Sequence, residues 1–313
     1  MSSPTSESES GLSPHATLGE TQIAMVIATW LFGVLTLQTF NYYSVFPKDG
    51  KFLKGLVGAI WFLELGQTIA CWHSMYMVTV TYFGQPEHIL SPPLSMEFSI
   101  LFHALIAISV QTFFLYRVWV LSSQWFIPIF CCVLNLVRLA FNIVLFADLA
   151  KYRAYSRLTK ELKWEVIVAG TTSPVVDIII MVSLVYYLWD MRNTQFKQTN
   201  HIVNTIVVWT LERTLLTTAT GVMQVVLYLA RHDLSWLIFF LIQGKLFSNS
   251  MLASLNGRTR FRSLQTRPNG SHALAFNTML DTTHPDSVLP MGRISEAQAA
   301  GSRDIYPSDK REV

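Results

Sequence analysis

The chain has 313 residues, of which 51% are hydrophobic and only 14% charged, and its net charge is +3. A soluble domain carries charge on about a quarter of its residues, so this composition excludes an ordinary water-soluble protein. The small positive balance, without a basic arm or an RNA-binding motif, excludes nucleic acid as a partner.

The apolar residues come in runs long enough to cross a bilayer, whose ~30 Å core needs about 20 of them in a helix. In chain order the predicted spans are Leu18–Tyr42, Phe52–Tyr82, Met96–Val120, Phe126–Leu149, Trp164–Trp189, Ile202–Ala230 and Trp236–Asn256. Backbone groups in lipid must bond within their own element, so each run is expected to be a helix. The alternation expected of a membrane barrel is absent from the sequence. The fold class is therefore an all-α membrane protein, a bundle of seven transmembrane helices at 18–256. Residues 1–17 and 257–313 are rich in Ser, Pro and charge and are expected to be disordered tails.

Flanking basic residues predict the orientation. The N-terminal tail has no Lys or Arg, whereas Lys48, Lys51, Lys54, Arg117, Arg192, Lys197 and the tail's Arg258, Arg260 and Arg262 cluster on alternate sides. The N-terminus is expected outside and the C-terminus in the cytoplasm, in the plasma membrane or an endomembrane. Arg258, Arg260 and Arg262 are expected to rest on anionic inner-leaflet lipid. The basic loop from Lys151 to Lys163 runs against this orientation.

Ionisable residues inside the spans carry the functional signal, because an ion at a helix centre costs about 2.5–3.5 kcal/mol on insertion scales. Glu64, Arg138, Asp177, Glu212, Arg213 and Lys245 all count to about 16 Å from the predicted cytoplasmic ends of their helices. Helical spacing turns polar stripes inward beside them: Gln67 with Glu64, Asn135 and Asn142 with Arg138, and Ser248 and Asn249 with Lys245. Either Asp177 or Glu64 could pair with Lys245. Pro174 precedes Asp177 by three residues and is expected to kink its helix. His73, His103 and Gln111 add spare polar groups. The layer either holds the helices in register or lines a polar cavity for a small ligand.

Catalytic and cofactor signatures are missing, so neither an enzyme, a metal nor a cofactor is expected. A mid-helix lysine raises retinal attachment, but Leu241 stands where a microbial rhodopsin has an aspartate, and Glu97 lies at the edge of its helix.

Phe46-Pro47-Lys48-Asp49, His73-x-x-Tyr76 and Gln111-x-Phe113-Phe114-x-x-Arg117-Val118-Trp119 form one set of motifs. Asp177 with Tyr186-Tyr187-Leu188, and the run from Lys245 to Asn256 followed by Arg258, complete it. Together they resemble a family of membrane proteins from mushroom-forming fungi, domain of unknown function 6534. The resemblance implies a seven-helix protein and no particular activity. Lys245, Asn249 and Asp177 match its pattern, whereas Glu212-Arg213-Thr214 departs from it. The function expected is that of a receptor or sensor with a polar mid-membrane site; the alternative is a transporter or proton-coupled carrier.

Overall fold

A computed structural model describes residues 14–85, 91, 93–122, 124–152, 161–194, 200–231 and 234–258; the side chains of 14–17, 188, 190–194, 200–210 and 213 lie outside that description. Seven long helices follow one another, and no strand occurs among the described residues. They are α1 (Pro14–Val45), α2 (Lys51–Tyr76), α3 (Leu94–Ser122), α4 (Phe126–Tyr152), α5 (Lys163–Thr194), α6 (Asn200–Ala230) and α7 (Trp236–Asn256). A π-helical turn, Met77–Thr81, continues α2.

Apolar run length locates each helix well but underestimates several. Helix α1 begins at Pro14 rather than Leu18, and α5 runs to Thr194 rather than Trp189. Helical hydrogen bonding continues into polar flanks that no longer contribute hydropathy. Among the described residues, six helices are long and apolar enough to cross a membrane, and the described part of α6 adds the apolar stretch Thr214–Ala230. Of the expected tails 1–17 and 257–313, residues 14–17 belong to α1 and 257–258 follow directly on α7, while 1–13 and 259–313, with Arg260 and Arg262, lie outside the described residues, as do the loop residues Arg153, Arg157 and Lys160.

The helices pack as a ring in chain order, closed by α7 against α1, with α3 reaching inward to touch α5 and α7. Apolar residues dominate the outward faces: Phe40 is 74% exposed, and Trp30 and Phe62 are each 68% exposed. Meanwhile Glu64, Glu97, Gln111, Arg138, Asp177 and Lys245 are buried. This inside-out distribution suits a lipid solvent, in which helices gain little from burying apolar groups and associate through close packing and polar contacts.

Close approach is visible where side chains vanish. A Cβ on Gly66 would lie 3.0 Å from the Phe102 ring, and one on Gly221 would lie 2.8 Å from Gln243 Nε2 and 3.4 Å from Pro174 Cδ. Gly221 thus lets α6 press against both α5 and α7. Pro174 also removes the hydrogen bond to the Gly170 carbonyl one turn earlier, at this same crossing.

Three apolar clusters fill the rest. One gathers Met25, Met96, Leu149 and Trp236; a second joins Leu35, Ile60, Val110 and Met251; a third joins Val118, Cys131 and Ile180. Two polar assemblies sit among them, one on α2 and α7, the other on α3, α4 and α5.

Candidate functional site

Lys245 and Glu64 form the first assembly. Lys245 is 2% exposed and Glu64 wholly buried, and the ammonium is in direct ion-pair contact with the Glu64 carboxylate. Nζ also donates to the Glu64 carbonyl at 3.1 Å and to Thr68 Oγ1 at 2.8 Å. An ammonium has three protons, and here each has an acceptor. The second carboxylate oxygen accepts from Ser248 Oγ at 2.5 Å. Phe32 lies beside the ammonium, its ring centroid 5.4 Å away.

The spacing of α7 explains why these groups meet. Lys245, Ser248 and Asn249 fall on one helical face, so the first two converge on a single carboxylate while the third turns towards α1. Asn249 Nδ2 donates to the Leu31 carbonyl at 3.0 Å and Gln38 Nε2 donates to Asn249 Oδ1 at 3.4 Å. The Lys245–Glu64 pair is saturated, whereas Gln38 Oε1 at the α1 side of the assembly is buried without a partner; together these contacts tie α1, α2 and α7.

The second assembly is not saturated. Gln111 of α3 donates to Asp177 Oδ1 of α5 at 2.9 Å, and Arg138 of α4 donates through a terminal guanidinium nitrogen to Gln111 Oε1 at 3.4 Å. Gln111 therefore spans two opposite charges that do not touch directly. Asp177 Oδ2, Arg138 Nε and both polar atoms of the Asn135 side chain are buried without a hydrogen-bond partner. Asn142 donates back to the Arg138 carbonyl at 2.8 Å. A narrow crevice, too tight to seat a water molecule, runs between Gln111 and Ile108 of α3 and Asn135, Arg138, Leu139 and Asn142 of α4.

The remaining expected residues are placed elsewhere. His103 is buried against the Phe240 ring, 4.6 Å between centroids, with Nδ1 facing Gly244. His73 is exposed, and its Nδ1 meets Ser95 Oγ at 2.9 Å where α2 ends and α3 begins. It belongs to neither assembly. Glu212 is exposed, and the Arg213 side chain lies outside the described residues.

The depth count for Glu212 needs correction. Helix α6 has 31 residues, about 46 Å, which is longer than a bilayer core, so a count from its start misplaces the residue. Counted from Ala230, whose connection leads into α7, Glu212 lies 18 residues away, about 27 Å. The meeting of Gly221 with Gln243 sets α6 beside α7 with Glu212 near the level of Leu252, one turn from the end of α7. An exposed carboxylate there can reach the headgroup layer.

Arg258 also departs from expectation. Instead of lying free on a membrane surface, it is 3% exposed and ion-paired with Asp49. Its guanidinium lies 4.2 Å from the Phe46 ring centroid, Nε donates to the Leu255 carbonyl at 3.0 Å, and Tyr42 donates to the same Asp49 oxygen at 2.9 Å. This latch joins the α1–α2 loop to the end of α7. Sequence reasoning assigned no role to Asp49; the available signal was that both ends of the latch fall in the motifs of the resemblance. At the opposite end Ser235 donates to Glu20 at 2.7 Å, with Arg231 beside both. Glu97 is wholly buried although it lies near the start of α3, because the helix begins at Leu94 and the turn packs inward.

Residues 173–260 match the model of a family described as Family of unknown function (DUF6534). The chain resembles DUF6534 through its last three helices. No curated protein and no solved structure matches this chain. The DUF6534 segment contributes Lys245 and Ser248 to the saturated pair, Arg258 to the latch and Asp177 to the open cluster. Their partners Glu64, Asp49 and Gln111 all precede it, so each of these contacts joins the matched segment to the part of the chain before α5.

Proposed function

We propose that this multi-pass membrane protein is a receptor or sensor whose responsive site is the Arg138–Gln111–Asp177 cluster. The observation that carries the reading is the contrast between the two assemblies. Lys245 and Glu64 have every strong hydrogen-bonding group engaged, as a fixed joint would, whereas the second cluster keeps buried donors and acceptors in reserve. Unpaired buried polar groups cost about 1–3 kcal/mol each, and an arrangement that retains several is poised to be completed by another molecule. Gln111 is the coupling element, since any group that draws Arg138 away frees it to serve Asp177 alone. Asp177 follows Pro174 by three residues on α5, where a backbone hydrogen bond is already missing. The chain crosses seven times with the start of α1 outside, in the plasma membrane or an endomembrane. Arg260 and Arg262 meet anionic lipid on the cytoplasmic face. The carrier reading draws on the same Pro174, but a saturated Lys245–Glu64 pair leaves no free charge on that side to alternate.

Spin labels on α1 and α5 test this reading, at Phe40→Cys and Tyr186→Cys in a Cys132→Ser background. Both positions are well exposed, at 74% and 65%. Asp177→Asn and Gln111→Leu are each expected to turn a minor distance population, on the order of 10% or less, into the major one. A single distribution unchanged in all three proteins contradicts a responsive cluster.

A further inference from the structure

We propose that the loop between α1 and α2 is a contact surface for anionic phospholipid headgroups, kept positive by the Arg258–Asp49 latch.

Charge selects the partner. Lys48 and Lys51 are exposed, and neither ammonium has an ion-pair partner among the described residues. The acid between them, Asp49, is turned inward, with its side chain 7% exposed and its charge met by Arg258. The first turn of α2 carries no acid. Among the described side chains, the one further acid placed towards this end, Glu212, is on α6, which packs against α5 and α7. The latch thus withdraws the loop's own negative charge and leaves two ammonium groups unopposed at the surface.

Local hydrogen bonds fix how the lysines are presented. Tyr42 donates to Asp49 at 2.9 Å, and the Asp49 N–H donates to the Phe46 carbonyl at 3.3 Å. The Lys54 ammonium donates to the Pro47 carbonyl, and Tyr43 donates to the Lys54 carbonyl at 2.7 Å. A loop held this way offers Lys48 and Lys51 without the ordering cost of a flexible segment.

The flanking residues set the depth. Phe52 follows Lys51 directly, opens the apolar run of α2 and is 85% exposed, and Val45 at the end of α1 is exposed as well. Apolar side chains beside lysines suit the boundary between headgroups and acyl chains, which puts the ammonium groups at the level of the phosphates. Binding there needs neither a cavity nor any movement of the chain. A lysine at an anionic surface is worth about fivefold in local lipid concentration, whereas a zwitterionic headgroup gains nothing comparable.

The test places a bimane fluorophore at Val45→Cys, in a Cys132→Ser background, on the full chain in phosphatidylcholine nanodiscs. Quenching by a trace of doxyl-labelled phosphatidylserine is compared with quenching by the same trace of doxyl-labelled phosphatidylcholine. The serine lipid is expected to quench at least about fivefold more strongly. Lys48→Gln combined with Lys51→Gln is expected to abolish the preference, and because both side chains are exposed a folding defect does not mimic that loss. Arg258→Met frees the Asp49 carboxylate to oppose the lysines and is expected to lower the preference at least about twofold; adding Asp49→Asn is expected to restore it. Both leaflets of a nanodisc have the same composition, so the result does not depend on which face of the membrane the loop occupies. Equal quenching by the two lipids, or a preference that survives the loss of both lysines, overturns the proposal. A preference untouched by Arg258→Met overturns the part assigned to the latch.

Discussion

Replacing Lys245 by methionine is expected to cost about 3–5 kcal/mol of stability, because it leaves the wholly buried Glu64 carboxylate without its counter-charge. Two further contacts disappear with the ammonium, those to Thr68 and to the Glu64 carbonyl. Methionine nearly matches lysine in length, so the loss is electrostatic rather than a cavity. Adding Glu64→Gln is expected to restore roughly half of it, since a neutral amide still accepts from Ser248 and no longer demands a cation. Adding Asp177→Asn is expected to restore nothing. Unfolding in mixed micelles, followed by far-ultraviolet circular dichroism, measures all of these variants on one scale.

The second large effect is expected at the latch. Arg258→Met leaves Asp49 with the Tyr42 hydroxyl as its remaining side-chain donor and is expected to cost about 2–3 kcal/mol, in the range of buried hydrogen bonds to charged groups. Arg258→Lys is expected to recover only part of this. A lysine supplies the charge, but not the planar guanidinium that lies over Phe46 while also bonding the Leu255 carbonyl. Truncation of the chain after Arg258 is expected to leave the stability unchanged, whereas truncation before it reproduces the loss seen in Arg258→Met. Both are read in the same unfolding assay. A latch at one end and the Lys245–Glu64 joint deep in the bundle would hold α7 against α1 and α2 at two heights, leaving α5 the freer to respond.

Most of the fold could be read from hydropathy alone. Membrane helices must satisfy their own backbone, so an apolar run of sufficient length leaves little choice, and α7 begins and ends where its apolar run does. The polar stripes were legible for the same reason. A helix carries residues three and four apart on one face, so Ser248 and Lys245 had to point together. Which acid would meet Lys245 could not be read, because Glu64 and Asp177 sit at similar depths and equally far around the ring from α7, and only the close approach of α2 to α7 in three dimensions decides between them.

Depth counting misled where helices outrun the bilayer. Glu212 appeared central because the count began at the far end of a helix about 46 Å long. His73 appeared internal because the apolar run continued past it through the π-helical turn, yet its side chain points outward to Ser95. Arg258 looked like a surface cation because it begins a polar tail. Its burial depends on Asp49, a residue 209 positions away, and periodicity carries no information about such a contact.

The separation of the two polar assemblies is the central claim, and paired double-mutant cycles test it most directly. One cycle combines Lys245→Met with Glu64→Gln; the other combines Lys245→Met with Asp177→Asn. Contacting groups in one network couple by about 0.5–3 kcal/mol, whereas distant and independent sites add to within about 0.5 kcal/mol. The structure predicts strong coupling in the first cycle and additivity in the second. Strong coupling between Lys245 and Asp177, with additivity between Lys245 and Glu64, would contradict it.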